Sequence, residues 1–180
     1  AVKIVRSVAK YRDAARLEIE VLEHLEANDP DGLHHCVRLL DWFDHDAHVC
    51  IVFEKLGPSL YDQLRRNRFR PFSLELVRGF AYQLLESVSF VHSLTLIHTD
   101  LKPENILLAD PEAATAVNLL STNQQRSPRQ SGASRCAANA ALSQAPSLHR
   151  RLRTALPAAA IKLIDFGSAT FQSQHHSAVI

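Results

Sequence analysis

The sequence predicts an α+β fold, and three observations carry that expectation. Apolar residues recur at spacings of three and four in two separate stretches, which is helical periodicity. Between them, two apolar runs flank a short polar turn, the pattern of a hairpin, and a further apolar run resumes late in the chain. At 180 residues the chain is long enough for one domain with a real core, and 46% hydrophobic with 22% charged residues excludes a wholly disordered, collagen-like or coiled-coil chain.

Taken in order, Ala1-Val2-Lys3-Ile4-Val5 reads as a strand. Tyr11 to Glu26 reads as a helix with Ala14, Leu17, Val21 and Leu25 on its apolar face, and Asn28-Asp29-Pro30-Asp31-Gly32 ends it with helix-breaking and turn residues. Cys36 to Phe43 and His48 to Phe53 form the hairpin around Asp44-His45-Asp46. Gly57-Pro58-Ser59 breaks the pattern ahead of a short helix at Leu60 to Arg65. Ser73 is placed to cap a long helix reaching Ser93, with Glu75 in its first turn and Val77, Phe80, Leu84, Val88 and Val91 on its apolar face.

Leu94 to Leu108 alternates short apolar runs with a polar cluster. From Ala109 to Ala160 the composition turns to Ala, Ser, Gln, Arg and Pro without sustained periodicity, apart from a helical pattern at Leu148 to Leu156, and a loop of that length is expected as a disordered insertion. Ile161 to Ile164 resumes as a buried strand that ends at Asp165-Phe166-Gly167.

The net charge of +1 gives no global reason to expect a nucleic-acid or membrane partner. It conceals an asymmetry: six arginines between Pro111 and Ala160 oppose the single Glu112, and this surplus of +5 leaves the rest of the chain at −4. Those arginines, with Ser127-Pro128 among them, are read as a solvated tether before a recognition surface. Cys36, Cys50 and Cys136 are an odd number, widely spaced, with no Cys-x-x-Cys pair, which fits a reducing compartment. No apolar run reaches membrane-helix length, and the charged first residues are unlike a signal peptide. The ten histidines show no ligand spacing backed by acidic partners. The chain has no methionine and opens in what reads as the middle of a strand, so a fragment is expected.

The chemistry is concentrated in His98-Thr99-Asp100-Leu101-Lys102-Pro103-Glu104-Asn105, with Asp165-Phe166-Gly167 downstream and Lys3 and Glu18 upstream. Phosphoryl transfer needs hard oxygen ligands for a metal, a cation on the phosphates and a carboxylate that orients the attacking hydroxyl, and this set contains each. Everywhere outside the insertion the sequence resembles the eukaryotic protein kinases. The resemblance implies the two-lobed α+β protein-kinase fold, truncated at both ends. Residues 1–56 would be part of the small lobe, with strand, helix, hairpin and hinge, and 57–108 the start of the large lobe. The insertion would be 109–160, and 161–180 the metal-binding strand and the start of the activation segment. The glycine-rich loop would lie before Ala1 and most of the large lobe after Ile180, so little or no activity is expected of these residues alone.

The same resemblance implies ATP and Mg2+ as cofactors. Lys3 would contact the α- and β-phosphates and Glu18 would pair with it. Asp100 would accept the substrate hydroxyl proton, Lys102 would stabilise charge on the transferring group, and Asn105 and Asp165 would hold magnesium. Gly167 would give the following loop its backbone freedom. Phe53 would guard the back of the adenine pocket, the Glu54 carbonyl and Leu56 amide would bond the adenine edge, and Ala1 and Leu107 would sandwich the ring. Leu22, His98 and Phe166 would stack into an apolar column.

Within the kinases, Thr99 in place of the usual arginine, Ala14-Ala15-Arg16-Leu17-Glu18-Ile19, and Asp165-Phe166-Gly167-Ser168-Ala169-Thr170-Phe171 followed by His175-His176-Ser177 resemble the LAMMER (Clk-type) dual-specificity kinases. That implies a nuclear enzyme, with the cytoplasm as a second location, acting on Ser, Thr and Tyr of Arg/Ser-rich splicing factors, and an insertion just before the metal-binding aspartate. The missing arginine suggests activity less dependent on activation-loop phosphorylation. SR-protein kinases and dual-specificity tyrosine-regulated kinases share parts of the same string, and a catalytically dead fragment acting as a scaffold through its Arg-rich insertion is the non-enzyme alternative.

Overall fold

The computed structural model describes residues 1–113, 117 and 160–173. The first lobe is an antiparallel sheet ordered β1-β3-β2, with β1 Val2–Ile4, β2 Leu39–His45 and β3 His48–Phe53, together with one helix, α1 Ala9–Asn28. Lys3 sits opposite Ile51 in the central strand. The hairpin closes on Asp46 and Ala47, both at positive φ (46° and 63°), the backbone that matches the twist of paired strands.

The second lobe holds α2 Leu60–Arg66, α3 Leu74–Ser93 and four short strands: β4 Leu96–Ile97, β5 Ile106–Leu108, β6 Ile161–Leu163 and β7 Thr170–Phe171. β5 pairs with β6, and β4 with β7, both antiparallel. Ser59 and Ser73 cap α2 and α3, their hydroxyls accepting from the Asp62 and Leu76 amides at 3.0 and 3.3 Å. Phe166, Leu22, Ile51, Leu76, Leu96, Leu108, Ile161 and Leu163 are among the fully buried side chains, each worth roughly 1.5–3 kcal/mol in burial.

Three expectations about packing are corrected. On α1 the buried stripe is Ala15, Glu18, Ile19, Leu22 and Leu25 with Val21, while Ala14 and Leu17 face solvent, Leu17 at 61% exposure. The stripe lies one residue over because Glu18, a polar residue, belongs on the inner face. On α3 the buried side is Leu76, Phe80, Ser87, Phe90 and Val91, and Val77 is exposed. Small Ser87 lets the 34–37 loop approach, its hydroxyl donating to the Gln83 and His35 carbonyls at 3.0 and 3.4 Å. Finally, β2 starts at Leu39 because Cys36 is committed elsewhere, in a parallel bridge to Leu163 of β6.

The lobes join at 54–59. The Gly57 amide donates to the Leu108 carbonyl at 2.8 Å and the Leu108 amide to the Pro58 carbonyl at 3.0 Å. Across the back, Lys162 donates to the Cys36 carbonyl at 3.0 Å and pairs with Glu54 at 3.4 Å, while the Arg38 amide donates to the same Glu54 oxygen at 2.9 Å. The expected insertion and His175-His176-Ser177 lie outside the described residues, save 109–113, 117 and 160. Of these, the Ala109 amide donates to the Ala160 carbonyl at 2.8 Å, and Ala113 and Val117 are helical and buried. Among the described residues no helix is long and apolar enough to cross a membrane.

Two outcomes are expected. A Cβ on Gly57 would stand 2.7 Å from the Asp110 carbonyl oxygen and 3.1 Å from that of Leu108, both backbone, so Gly57→Ala should cost about 1–3 kcal/mol in urea unfolding. Asp29, buried after α1, is pushed up by burial. The Leu33 and His34 amides, each donating at 2.9 Å, together with the His34 ring outweigh that and hold its carboxyl below the ordinary 3.8. The stability it contributes is therefore present above pH 3.8 and lost as pH falls through the lower folded value. Asp29→Asn should be destabilising at neutral pH, with the gap to the parent closing in acid unfolding curves.

Candidate active site

Lys3 projects from the middle of β1, and its ammonium reaches both carboxylate oxygens of Glu18 at 2.7 Å. Glu18 is 6% exposed at the side chain and Lys3 44%, so the carboxylate is sunk and the cation stands at the opening. A buried carboxylate is costly unless paired, and here the pair is bidentate. The same ammonium lies 3.7 Å from Asp165 Oδ1. Asp165 takes φ 64°, a left-handed conformation unfavourable for a residue other than glycine. The expectation for Gly167 is corrected accordingly: the positive φ falls on Asp165, and Gly167 is needed for space, since a Cβ there would be 3.2 Å from Glu18 Oε2.

Between the lobes a cavity of about 360 Å³ is lined by Ala1, Lys3, Glu18, Val37, Phe53, Glu54, Lys55, Leu56, Leu107, Ile164 and Asp165. All seven residues expected around a nucleotide, Ala1, Lys3, Glu18, Phe53, Glu54, Leu56 and Leu107, are on its wall. The Glu54 side chain turns away toward Arg38 and Lys162, which leaves its backbone to the cavity side. Sequence reasoning missed Val37 and Ile164. Ile164 could have been found as the residue before Asp165, whereas Val37 enters only because its amide donates to the Leu163 carbonyl at 2.9 Å.

The 98–105 loop lies against the segment that carries Asp165, the Ile164 amide donating to the Asn105 carbonyl at 2.9 Å. The Asp100 amide donates to His98 Nδ1 at 3.3 Å, which assigns the ring proton to Nε2, donated to the Ile164 carbonyl at 3.0 Å. His98 is buried and meets buried Phe166 edge-on at 4.9 Å, and Leu22 is buried in the same hydrophobic cluster as Phe166. Asp100 Oδ2 accepts from Lys102 at 2.6 Å and from Asn105 Nδ2 at 3.0 Å, and the Asn105 amide also donates to the Asp100 carbonyl at 3.0 Å. Both side-chain donors use Oδ2, so among the described residues Oδ1 takes no hydrogen bond. The hydrogen bond from Lys102 holds the Asp100 carboxyl below its ordinary value, and the same bond raises Lys102. The pair is therefore ionised at neutral pH.

A flat apolar slot ending in a cation and a carboxylate suits an aromatic ring carrying an anionic tail. Asn105 spends its NH2 on Asp100, which turns its carbonyl oxygen free for a metal, and Asp165 offers a carboxylate. Among the described residues no group of three or more His, Cys, Asp or Glu is placed to hold a metal. A divalent cation taken by Asn105 and Asp165 would complete its shell with oxygens from outside the chain, as magnesium commonly does.

Comparison with known proteins agrees with this chemistry. The family model described as "Protein kinase domain" matches residues 1–129. The chain is 42% identical over its full length to human dual specificity protein kinase CLK4, covering 32% of that protein. It is 46% identical to the serine/threonine-protein kinase AFC1 of Arabidopsis thaliana, again over the whole chain and covering 34% of the relative. Among solved structures, the kinase domain of PF14_0431 superposes with a TM-score of 0.71 at 31% identity, over 99% of this chain and 46% of that one. The chain thus spans about a third of the length of the curated relatives it matches.

Replacing Lys102 by Met removes the largest cause of the Asp100 shift, so a 13C NMR titration of the Asp100 carboxyl in Lys102→Met should show its pKa rising toward 3.8. Lys102→Arg should leave it low.

Proposed function

Because the chain belongs to the protein kinase family, we propose that it forms the nucleotide cleft and catalytic loop of a Clk-type enzyme that transfers the ATP γ-phosphoryl group to protein hydroxyls. The observation that carries this reading is that the Lys3–Glu18 pair and Asp165 line one cavity, while the Asp100–Lys102–Asn105 cluster is tied to the residue before Asp165, the Ile164 amide donating to the Asn105 carbonyl at 2.9 Å. Protein kinases as a family use ATP and Mg2+, and the apolar slot and hard oxygen donors here fit both.

In this mechanism Ala1, Val37 and Leu107 hold the adenine ring, and the Glu54 carbonyl and Leu56 amide bond its edge. Lys3, fixed by Glu18, aligns the phosphates. Asn105 and Asp165 would hold the magnesium ion, which would supply positive charge to the phosphates of ATP, the donor of the phosphoryl group. Asp100 Oδ1 accepts the hydrogen bond of the incoming hydroxyl and takes its proton as the new O–P bond forms and the bond from the γ-phosphorus to the β–γ bridging oxygen breaks, ADP leaving with that oxygen. Lys102 stays on Oδ2 and balances the charge at the transferring group. Asp100, kept ionised by Lys102, is ready as acceptor without waiting for a pH change.

Arg/Ser-rich protein substrates, dual specificity for Ser/Thr and Tyr, and a nuclear location are part of the same proposal and rest on likeness to the Clk-type kinases. Of the relatives, CLK4 is named a dual specificity kinase and AFC1 a serine/threonine kinase, so both support Ser/Thr transfer and the first alone supports Tyr.

Mg-ATP should raise the melting temperature of the parent chain and of Asp100→Asn, but not of Asp165→Asn. With an alternating Arg/Ser peptide, any phosphate incorporation by the parent should be abolished in Asp100→Asn. No melting shift in the parent would remove the proposal for these residues.

A further inference from the structure

Thr99 has no part in the chemistry above, yet it is the most constrained residue of the 98–105 loop. It is exposed, β-branched and at φ 67°, a backbone region where such residues are rare. Its hydroxyl donates to the Ser168 carbonyl at 2.8 Å, across 69 residues of sequence. One residue earlier, His98 Nε2 donates to the Ile164 carbonyl at 3.0 Å. The turn Asp165-Phe166-Gly167 is therefore gripped on both sides by consecutive residues of one loop. Beyond it, Ile97 pairs with Thr170, Leu96 with Phe171, and the Gln172 amide donates to the Thr95 carbonyl at 2.8 Å. The two segments run antiparallel from 95 to 99 and from 168 to 172, and the Thr99 bond is the last rung before the chain turns into the cleft.

We propose that Thr99 is a positioning residue whose hydroxyl, bonded to the Ser168 carbonyl, closes the outer side of the Asp165 turn and fixes where the Asp165 carboxylate stands. The inference rests on the kinase reading for what Asp165 does, but not for the bond itself. Asp165 occupies an unfavourable backbone conformation, and such conformations persist where the surroundings over-determine them. His98 holds the entry side, and on the exit side Thr99 supplies the cross-loop bond nearest the turn, ahead of the pairing at Thr170 and Phe171. Since the bond is exposed to water, its loss should change position more than global stability.

The test compares Thr99→Val, which keeps the β-branched shape without the hydroxyl, with Thr99→Ser, which keeps the hydroxyl. Amide hydrogen exchange of Ala169 and Gln172, bonded to the Phe166 and Thr95 carbonyls, should quicken at least tenfold in Thr99→Val and stay near the parent rate in Thr99→Ser. Melting temperatures of all three should be close. Affinity for ATP with magnesium should fall about tenfold in the Val variant, and affinity for ATP in EDTA should not change, because only the Asp165 side of the cleft has moved. Unchanged exchange in the Val variant, or a Ser variant that exchanges like Val, overturns the proposal. If the parent binds no nucleotide in either condition, the kinase reading of these residues fails, and the exchange rates alone decide the role of Thr99.

Discussion

β6 is hydrogen-bonded on both edges, and the site depends on it. On one side β6 pairs with β5, placing Leu163 opposite Ile106. On the other, the Leu163 amide donates to the His35 carbonyl at 2.7 Å and its carbonyl accepts from Val37 at 2.9 Å. A strand of three residues thus ties the loop after α1 to β5 of the second lobe. It delivers Ile164 and Asp165 to the cavity wall and Phe166 to the core. Side chains alternate along a strand, so a slip of one residue would turn Leu163 out of the core. Lys162, pointing the other way, guards against this by binding Cys36 and Glu54 at the back.

Charge is handled by unequal burial. Glu18 is sunk while its partner Lys3 is open, and the exposed Asp100 and Lys102 pair with each other at the surface. The first arrangement keeps a cation at the mouth of the cleft with an acid behind it. An anionic ligand would then meet positive charge already oriented, without first stripping water from a buried ammonium.

Much of this was legible in the sequence, and the losses have physical causes. Polar residues in fixed order marked Asp100, Lys102, Asn105 and Asp165, because short spacings force them into one loop or turn. Helix boundaries were clear from the Gly57–Ser59 and Asn28–Gly32 breakers and the cap of α3 from Ser73, whereas the capping role of Ser59 emerges only from its bond to the Asp62 amide. Helix faces were not, since hydrophobicity alone treats Glu18 and Ser87 as outward residues, while a partner 15 positions away buries the first and a close loop the second. Cys36 and Val37 look like the start of a strand in the hairpin and instead pair with β6, a contact more than 120 residues distant that no local pattern encodes. Nothing local marks Asp165 for its left-handed backbone, which arises where tertiary contacts override intrinsic preference.

The hydrogen bond from Ala109 to Ala160 makes the long connection start and finish at neighbouring points on one ladder. Chain added between such points costs only loop-closure entropy, roughly 0.6 kcal/mol for each doubling of length. That location is therefore a port in the architecture. Segments of different length and charge can be exchanged there in evolution or by grafting while the register of β5 against β6 is kept, whereas the turn at 164–167, held by side chains from both lobes, has no such latitude.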